Sequence, residues 1–261
     1  MTVAERINAE RIVLAGWSRA ILLQLAHPLV AAGVSDHSRF SGGLLSASIR
    51  LHHTVGAMRR LTFGTDAQAQ AALAGIMAIH RHVQGTLPAA AGPFPAGARY
   101  SAEDPALVLW VHATLLESLP LVYEALVAPL SDDDRDAWCR ESAPVARALG
   151  AGDDVPVSWR ALQDYLARMR ASGQIVVSDT ARALAAEVLS PRLAGLVAPA
   201  RALNQLVTAG LLPPDIRAQY GFAWTARDDR RLQRALRWLR RLRGVTPDLL
   251  AHWPDARRHG R

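Results

Sequence analysis

The sequence contains no lysine; its 30 basic residues are all arginine, and it has a single cysteine, Cys139, among 261 residues. One cysteine excludes an intrachain disulfide and any multi-cysteine zinc or iron–sulfur site. It also fits a reducing cytoplasm, which is the expected location. The first residues, Met1-Thr2-Val3-Ala4-Glu5-Arg6, lack the charged-then-apolar layout of a secretory signal, so no export is expected. Long hydrophobic runs are missing too. The most apolar stretch, 21–34, is interrupted by Gln24 and His27 and falls short of the roughly 18 to 20 apolar residues of a spanning helix, so it reads as a buried core helix. No His-Glu-x-x-His or Glu-x-x-His pair is present for a zinc or di-iron helix. Gly-x-Ser-x-Gly, Gly-x-x-x-x-Gly-Lys and Gly-x-Gly-x-x-Gly are absent as well, which leaves hydrolase, NTPase and nucleotide-cofactor readings without an anchor.

What is present is apolar and basic. Half of the residues are hydrophobic, enough for a sizeable core, and the net charge is +7. Arginine forks suit carboxylate ligands, which they hold with two parallel hydrogen bonds. Apolar residues recur at helical spacing and β-branched alternation is scarce, so the expected class is all-α, a single compact multi-helix domain over 1–261 with its core at about 12–243. Helices are expected over 4–25, 47–61, 66–84, 105–128, 132–149, 159–171, 179–189, 192–209 and 228–242. Ser101 with Asp104 reads as a capping pair, and Ser131 before Asp132, Asp133 and Asp134 opens a helix whose dipole they face. Residues 88–98, with three prolines and two glycines, read as a loop or flap, and 244–261 as a loose tail.

Of nine histidines, His252 and His259 fall in that tail, where a solvated imidazole is expected. The other seven, His27, His37, His52, His53, His80, His82 and His112, lie in the first 112 residues on largely apolar segments. Imidazole in an apolar helical pocket can hold haem iron through one axial histidine, with helices on both porphyrin faces and arginines at the propionates.

Several ordered blocks then carry a resemblance. They are Gln24-Leu25-Ala26-His27-Pro28 through Gly33-Val34 with Asp36-His37-Ser38; Arg50-x-x-x-Thr54 with Phe63-Gly64; Ile79-His80-x-x-Val83-x-Gly85; Tyr100-x-Ala102-x-Asp104-Pro105; Trp110-Val111-His112-Ala113-Thr114-Leu115; and Leu212-Pro213-x-x-x-Arg217-x-x-Tyr220-Gly221. Together they resemble the MpaB/rubber-oxygenase catalytic-domain family over about 23–224. The resemblance implies a helical domain that sandwiches a b-type haem, with dioxygen as co-substrate and His80 as the iron ligand. Ile76, Met77 and Val83 stand three or four positions from His80 and give it an apolar face; a core histidine bonded to a carbonyl is the alternative. The family places Arg50 and Thr54 beside the haem. His53 shares their face and stands where the rubber-cleaving members have lysine, a departure that weakens the case for rubber as substrate. Its expected roles are a distal hydrogen bond to dioxygen, a sixth ligand, or a structural imidazole. Thr114 and Arg217 are expected at the cofactor, Arg217 at a propionate.

The remaining residues have competing readings. His112 cannot share the pocket face with Thr114, because positions two apart diverge by about 200°. Glu117 and Trp110 lie on the Thr114 face, Glu117 as a buried acid or an ordinary surface residue. His27 precedes Pro28 and either lines the pocket or fixes a helix break. Asp36 and His37 read as a loop cluster or an acid/base relay. The acidic run before Cys139 disfavours a thiolate ligand. Segment 230–243 puts Leu232, Leu236, Leu239 and Leu242 on one face and arginines on the other, the pattern of a packed surface helix, with peripheral membrane contact as a second reading and nucleic acid unsupported. The expected activity, from the family alone, is oxidation of an apolar small molecule, including cleavage of a carbon–carbon double bond. A non-catalytic haem carrier or sensor and a cofactor-free helical protein are the alternatives, and self-association into a homo-oligomer stays open.

Overall fold

The computed structural model describes the backbone of residues 1–39, 44–189 and 198–259, and within these the side chains of all but 38, 39, 44–52, 198, 258 and 259. The described chain is helical almost throughout. Its helices are α1 (Val3–Ala9), α2 (Ala15–Leu25), α3 (Pro28–Arg39), α4 (Leu44–Phe63), α5 (Asp66–His80), α6 (Pro105–Leu126), α7 (Asp132–Ala148) and α8 (Trp159–Ala171). They continue as α9 (Asp179–Leu189), α10 (Ala198–Leu211), α11 (Pro214–Gln219), α12 (Ala226–Val245), α13 (Asp248–Ala251) and α14 (Pro254–His259). A 3₁₀ turn, Arg11–Leu14, joins α1 to α2. Two three-residue strands, β1 (Gln84–Thr86) and β2 (Arg99–Ser101), pair antiparallel with Gly85 opposite Tyr100.

Local chemistry sets the ends. Thr2 with Glu5, Thr65 with Gln68, Ser131 with Asp134 and Thr225 with Asp228 form reciprocal capping boxes that satisfy first-turn amides. At α6 the cap is Asp104, whose carboxylate accepts from Ala106 N, with Pro105 in the first turn. Ser101 instead accepts from Glu103 N within the turn before it. Between α2 and α3 the axis bends by 109°, because Pro28 brings no N–H and biases His27 away from helical backbone.

The central packing is α2 against α6, with α3, α9 and α10 around α2, α7 and α8 along α6, and α12 closing on α6 and α10. One cluster from Ile7 to Tyr220 runs through these layers. α6 has the length and hydropathy of a membrane-crossing helix, but 67% of its most apolar window is buried among its neighbours. It serves here as the axis of the core.

Three expected elements differ. The helix over 4–25 is broken at Glu10, which is extended and bridges to His252. The helix from 66 ends at His80, and Gln84 enters β1 instead. The expected start at 192 lies outside the described residues. The C-terminal residues, expected to trail loosely, fold back: Trp253 N donates to Ala9 O, Arg59 pairs with Asp255, and Ala256 is buried with Ala9 and Phe63.

Candidate functional site

α4 and α5 form a helical hairpin turning at Gly64 and Thr65. His80 lies 15 residues beyond the turn and Arg50 14 before it, so at 1.5 Å per residue both stand about 21 to 23 Å from it, at one level. His53 and Thr54 sit on α4 one turn closer, both exposed. The side chains of Arg50 and His52, and of His259, lie outside the described residues.

α5 leaves most of its apolar side chains uncovered. It carries Leu73, Ile76, Met77 and Ile79, yet Ala72 is its one buried residue, and Met77 and Ile79 are 40% and 61% exposed. His80 closes this apolar helix, half-buried. Burial lowers its pKa, with Glu103 opposing from the turn before α6, so the imidazole keeps a free lone pair at neutral pH. His82 points elsewhere, its Nδ1 2.7 Å from Ala78 O.

β1 and β2 hold the flap of residues 87–98 beside this end. Tyr100 is buried over Gly85 and Gly33, and a Cβ on Gly85 would come within 2.5 Å of the Tyr100 hydroxyl. That hydroxyl donates to Asp36. Asp36 and His37 therefore stand on α3, not in a loop. Burial first, then Asp36, pushes the Tyr100 phenol up. Under the flap, His27 is 2% exposed, its ring 5.2 Å from that of Phe94 and its Nδ1 unpartnered among the described residues. Burial lowers its pKa to about 4, against a hydrogen bond to Gln174 and the charge of Asp104.

On α6, Thr114 is fully buried and its hydroxyl donates to Val111 O. His112 Nε2 is buried without a partner among the described residues, and burial takes its pKa to about 4. Glu117 is neither an isolated buried acid nor a surface residue; it pairs at 2.8 Å with Arg19, itself 2% exposed. Arg19 also donates to Ser118 Oγ and Leu211 O, tying α2, α6 and the end of α10 together. Trp110 Nε1 lies 3.4 Å from Gln24 O. Arg217 stacks over Trp224, its guanidinium carbon 4.5 Å from the ring centre, with Gly210 O 3.5 Å from Nη1. Cys139 is buried, its thiol pushed up to about 12 by burial, so it offers no thiolate.

The structure thus brings Arg50, His53, Thr54 and His80 onto one hairpin, while Thr114 and Arg217 hold contacts of their own. Among the described residues no three histidine, cysteine or acidic side chains converge as a metal cluster. For a cofactor that brings its own equatorial ligands, a single neutral histidine on an open apolar face is the required donor, and His80 fits it.

A second polar cluster escaped the sequence. Glu10, 4% exposed, is held by both Arg243 nitrogens at 2.6 and 2.7 Å and by His252 Nε2 at 2.9 Å, beside a cavity of about 290 Å³ that Arg6 and Tyr123 also line. His252 is therefore bound, not solvated. Nothing local marks Glu10, whereas the interior cation Arg19 was missed although its place in an apolar helix was a signal that could have found it.

A family model described as the ER-bound oxygenase mpaB/B'/rubber oxygenase catalytic domain matches residues 4–241. Two uncharacterized proteins, from Mycobacterium bovis and Mycobacterium tuberculosis, are each 29% identical over 236 residues, covering 89% of this chain and 88% of theirs. No solved structure matches the chain significantly.

Proposed function

Because the chain belongs to the mpaB/rubber oxygenase catalytic-domain family, an oxygenase family, we propose that it is a haem-b-dependent oxygenase of an apolar small molecule, with His80 as the iron ligand. One observation carries the assignment: a histidine kept neutral by burial terminates a helix whose apolar side chains are left open. A porphyrin face would cover Ile76, Met77 and Ile79, and the burial of that apolar area would add to ligation. Arg50 comes from α4 at the level of His80, with His53 and Thr54 one turn below it, so that His53 can donate a hydrogen bond and Arg50 can pair with a carboxylate. Thr114 and Arg217 would join the site only by giving up their present contacts with Val111 O and Trp224.

When bound, haem supplies the activation of dioxygen. The chain's own residues ligate through His80, present donors from α4, and exclude water with apolar side chains. An apolar substrate, including one with a carbon–carbon double bond cleaved by dioxygen, suits those surroundings.

The test is the ultraviolet–visible spectrum of the protein purified after growth with a haem precursor, oxidised, reduced and under carbon monoxide, beside His80→Ala. The expected result is a Soret band in the wild type that His80→Ala loses while keeping its helical circular dichroism. A carbon monoxide shift would mark an open position for dioxygen; a six-coordinate spectrum insensitive to carbon monoxide would favour a carrier closed by His53. A wild type that stays colourless and takes up no added hemin would sink the haem assignment.

A further inference from the structure

α12 packs with Leu232 buried, Ala235, Leu236 and Leu239 half-buried, and Arg243 turned in toward Glu10. Those positions form one face. Packing does not account for a second apolar strip on the helix's outer flank. Trp238, Leu242 and Val245 stand at i, i+4 and i+7, hence on one stripe, and are 56%, 45% and 79% exposed. Leu242 was expected on the packed face and is not there. Immediately beyond, α13 presents Leu249 and Leu250, 64% and 62% exposed. Half of the ten large hydrophobic side chains exposed among the described residues thus fall between 238 and 250, too concentrated for the scattered singletons of an ordinary surface.

The charge around the α12 part of this strip is basic, and the one acid within the strip, Asp248 beside Leu249, is paired with Arg243 at 3.1 Å. Arg231, Arg234 and Arg241 stand at −7, −4 and +3 from Trp238, within the same sector of the helix, and Arg237 is exposed at its edge. Of these four, only Arg231 has a carboxylate partner among the described residues, Asp228 at 3.4 Å.

We propose that the C-terminal half of α12 with α13 is a docking surface for an anionic phospholipid bilayer. The helix would lie in the plane of the headgroups, with Trp238, Leu242, Val245, Leu249 and Leu250 inserted and the arginines on lipid phosphates. An indole among aliphatic side chains bordered by guanidinium groups is the composition of an interfacial helix. Duplex nucleic acid would match the arginines but leave the aliphatic side chains in water. A second copy of the same face would bring arginines against arginines. The surface does not depend on the haem assignment, and it would place the domain where apolar substrates dissolve.

The test is co-sedimentation with vesicles of phosphatidylcholine and phosphatidylglycerol in equal parts, and with phosphatidylcholine alone. Three proteins are compared: wild type, Trp238→Ser/Leu242→Ser, and Arg168→Gln/Arg170→Gln, which removes two exposed arginines from α8. The expected result is that wild type pellets with the anionic vesicles and not with the neutral ones. The α12 pair should lose at least about tenfold in affinity with circular dichroism and melting temperature unchanged, and the α8 pair should bind as wild type. Failure of the wild type to pellet would overturn the proposal. So would equal binding by the α12 pair, or equal loss in the α8 pair, either of which would mean adsorption by net charge. Duplex DNA binding without vesicle binding would assign the arginines to nucleic acid instead. A dimer in ultracentrifugation that the α12 pair abolishes, without vesicle binding, would make the occupant a second copy.

Discussion

His27 occupies an apolar position that a charged imidazole cannot share without cost. Its ring is 2% exposed, Nδ1 has no partner among the described residues, and its folded pKa is about 4 against a usual 6.5. Between those values the unfolded chain takes up the proton and the folded chain does not. The stability tied to His27 is therefore whole above pH 6.5 and drains away as the pH falls toward 4, by on the order of 3 kcal/mol in all. His112 has its pKa lowered in the same direction, so acid destabilises through both. Urea midpoints at pH 7, 5.5 and 4.5 should fall for the wild type, with a shallower slope for His27→Asn; parallel slopes would show that the imidazole charges without penalty. Arg19 is the opposite case, a permanent charge in the core that is tolerable because Glu117, Ser118 and Leu211 O take its donors. Arg19→Ala strands the Glu117 carboxylate and should cost about 3 to 5 kcal/mol in urea unfolding. Lysine at this position should recover only part of that, since one ammonium cannot match the planar fork.

At the scale of elements, close approach and burial decide where local pattern gives way. Gly85 faces Tyr100 so closely that any side chain would displace the ring and its bond to Asp36. Gly85→Ala should cost about 1 to 3 kcal/mol and speed amide exchange at Leu87 and Gly97, whose N–H groups donate to Ala98 O and Leu87 O at the base of the flap; an unchanged exchange rate would mean that the ring is not pinned. Helix content, the helix start at Ser131 with its acidic first turn, the flap and the break at Pro28 were legible because each is written in adjacent residues. The interruption at Glu10 was not, because its cause lies 233 and 242 positions away in Arg243 and His252. His80 could be found from its block, and its open apolar helix from composition, but the contacts that occupy Thr114 and Arg217 depend on packing that spacing does not encode. The same long-range tie predicts that Glu10→Gln loosens the C-terminal segment. Amide exchange at Trp253, which is bonded to Ala9 O, should accelerate at least about tenfold for a loss of ~1.4 kcal/mol, and equal protection in the variant would place the anchorage in Trp253 packing.

For the molecule as a whole, residues as distant as Ile7, Trp110, Leu162 and Tyr220 share one core cluster, so no half of the described chain holds a core of its own. A chain built this way should unfold as one cooperative unit. Cys139 provides an internal reporter: it is fully buried in that cluster and its thiol is pushed up to about 12. Both properties suppress reaction with an aromatic disulfide reagent, burial by blocking access and the raised pKa by removing thiolate. α7, which carries Cys139, packs on α1, α6 and α8, so exposing the sulfur means separating the centre of the molecule and not fraying an edge. Labelling across a urea series should therefore track the loss of helical circular dichroism, with the same midpoint and the same slope. If labelling precedes the loss of helicity, α7 and α8 open as a separate unit. The α2–α6 pair would then be the true cooperative core, and the Arg19–Glu117 bridge within it should set the later transition alone.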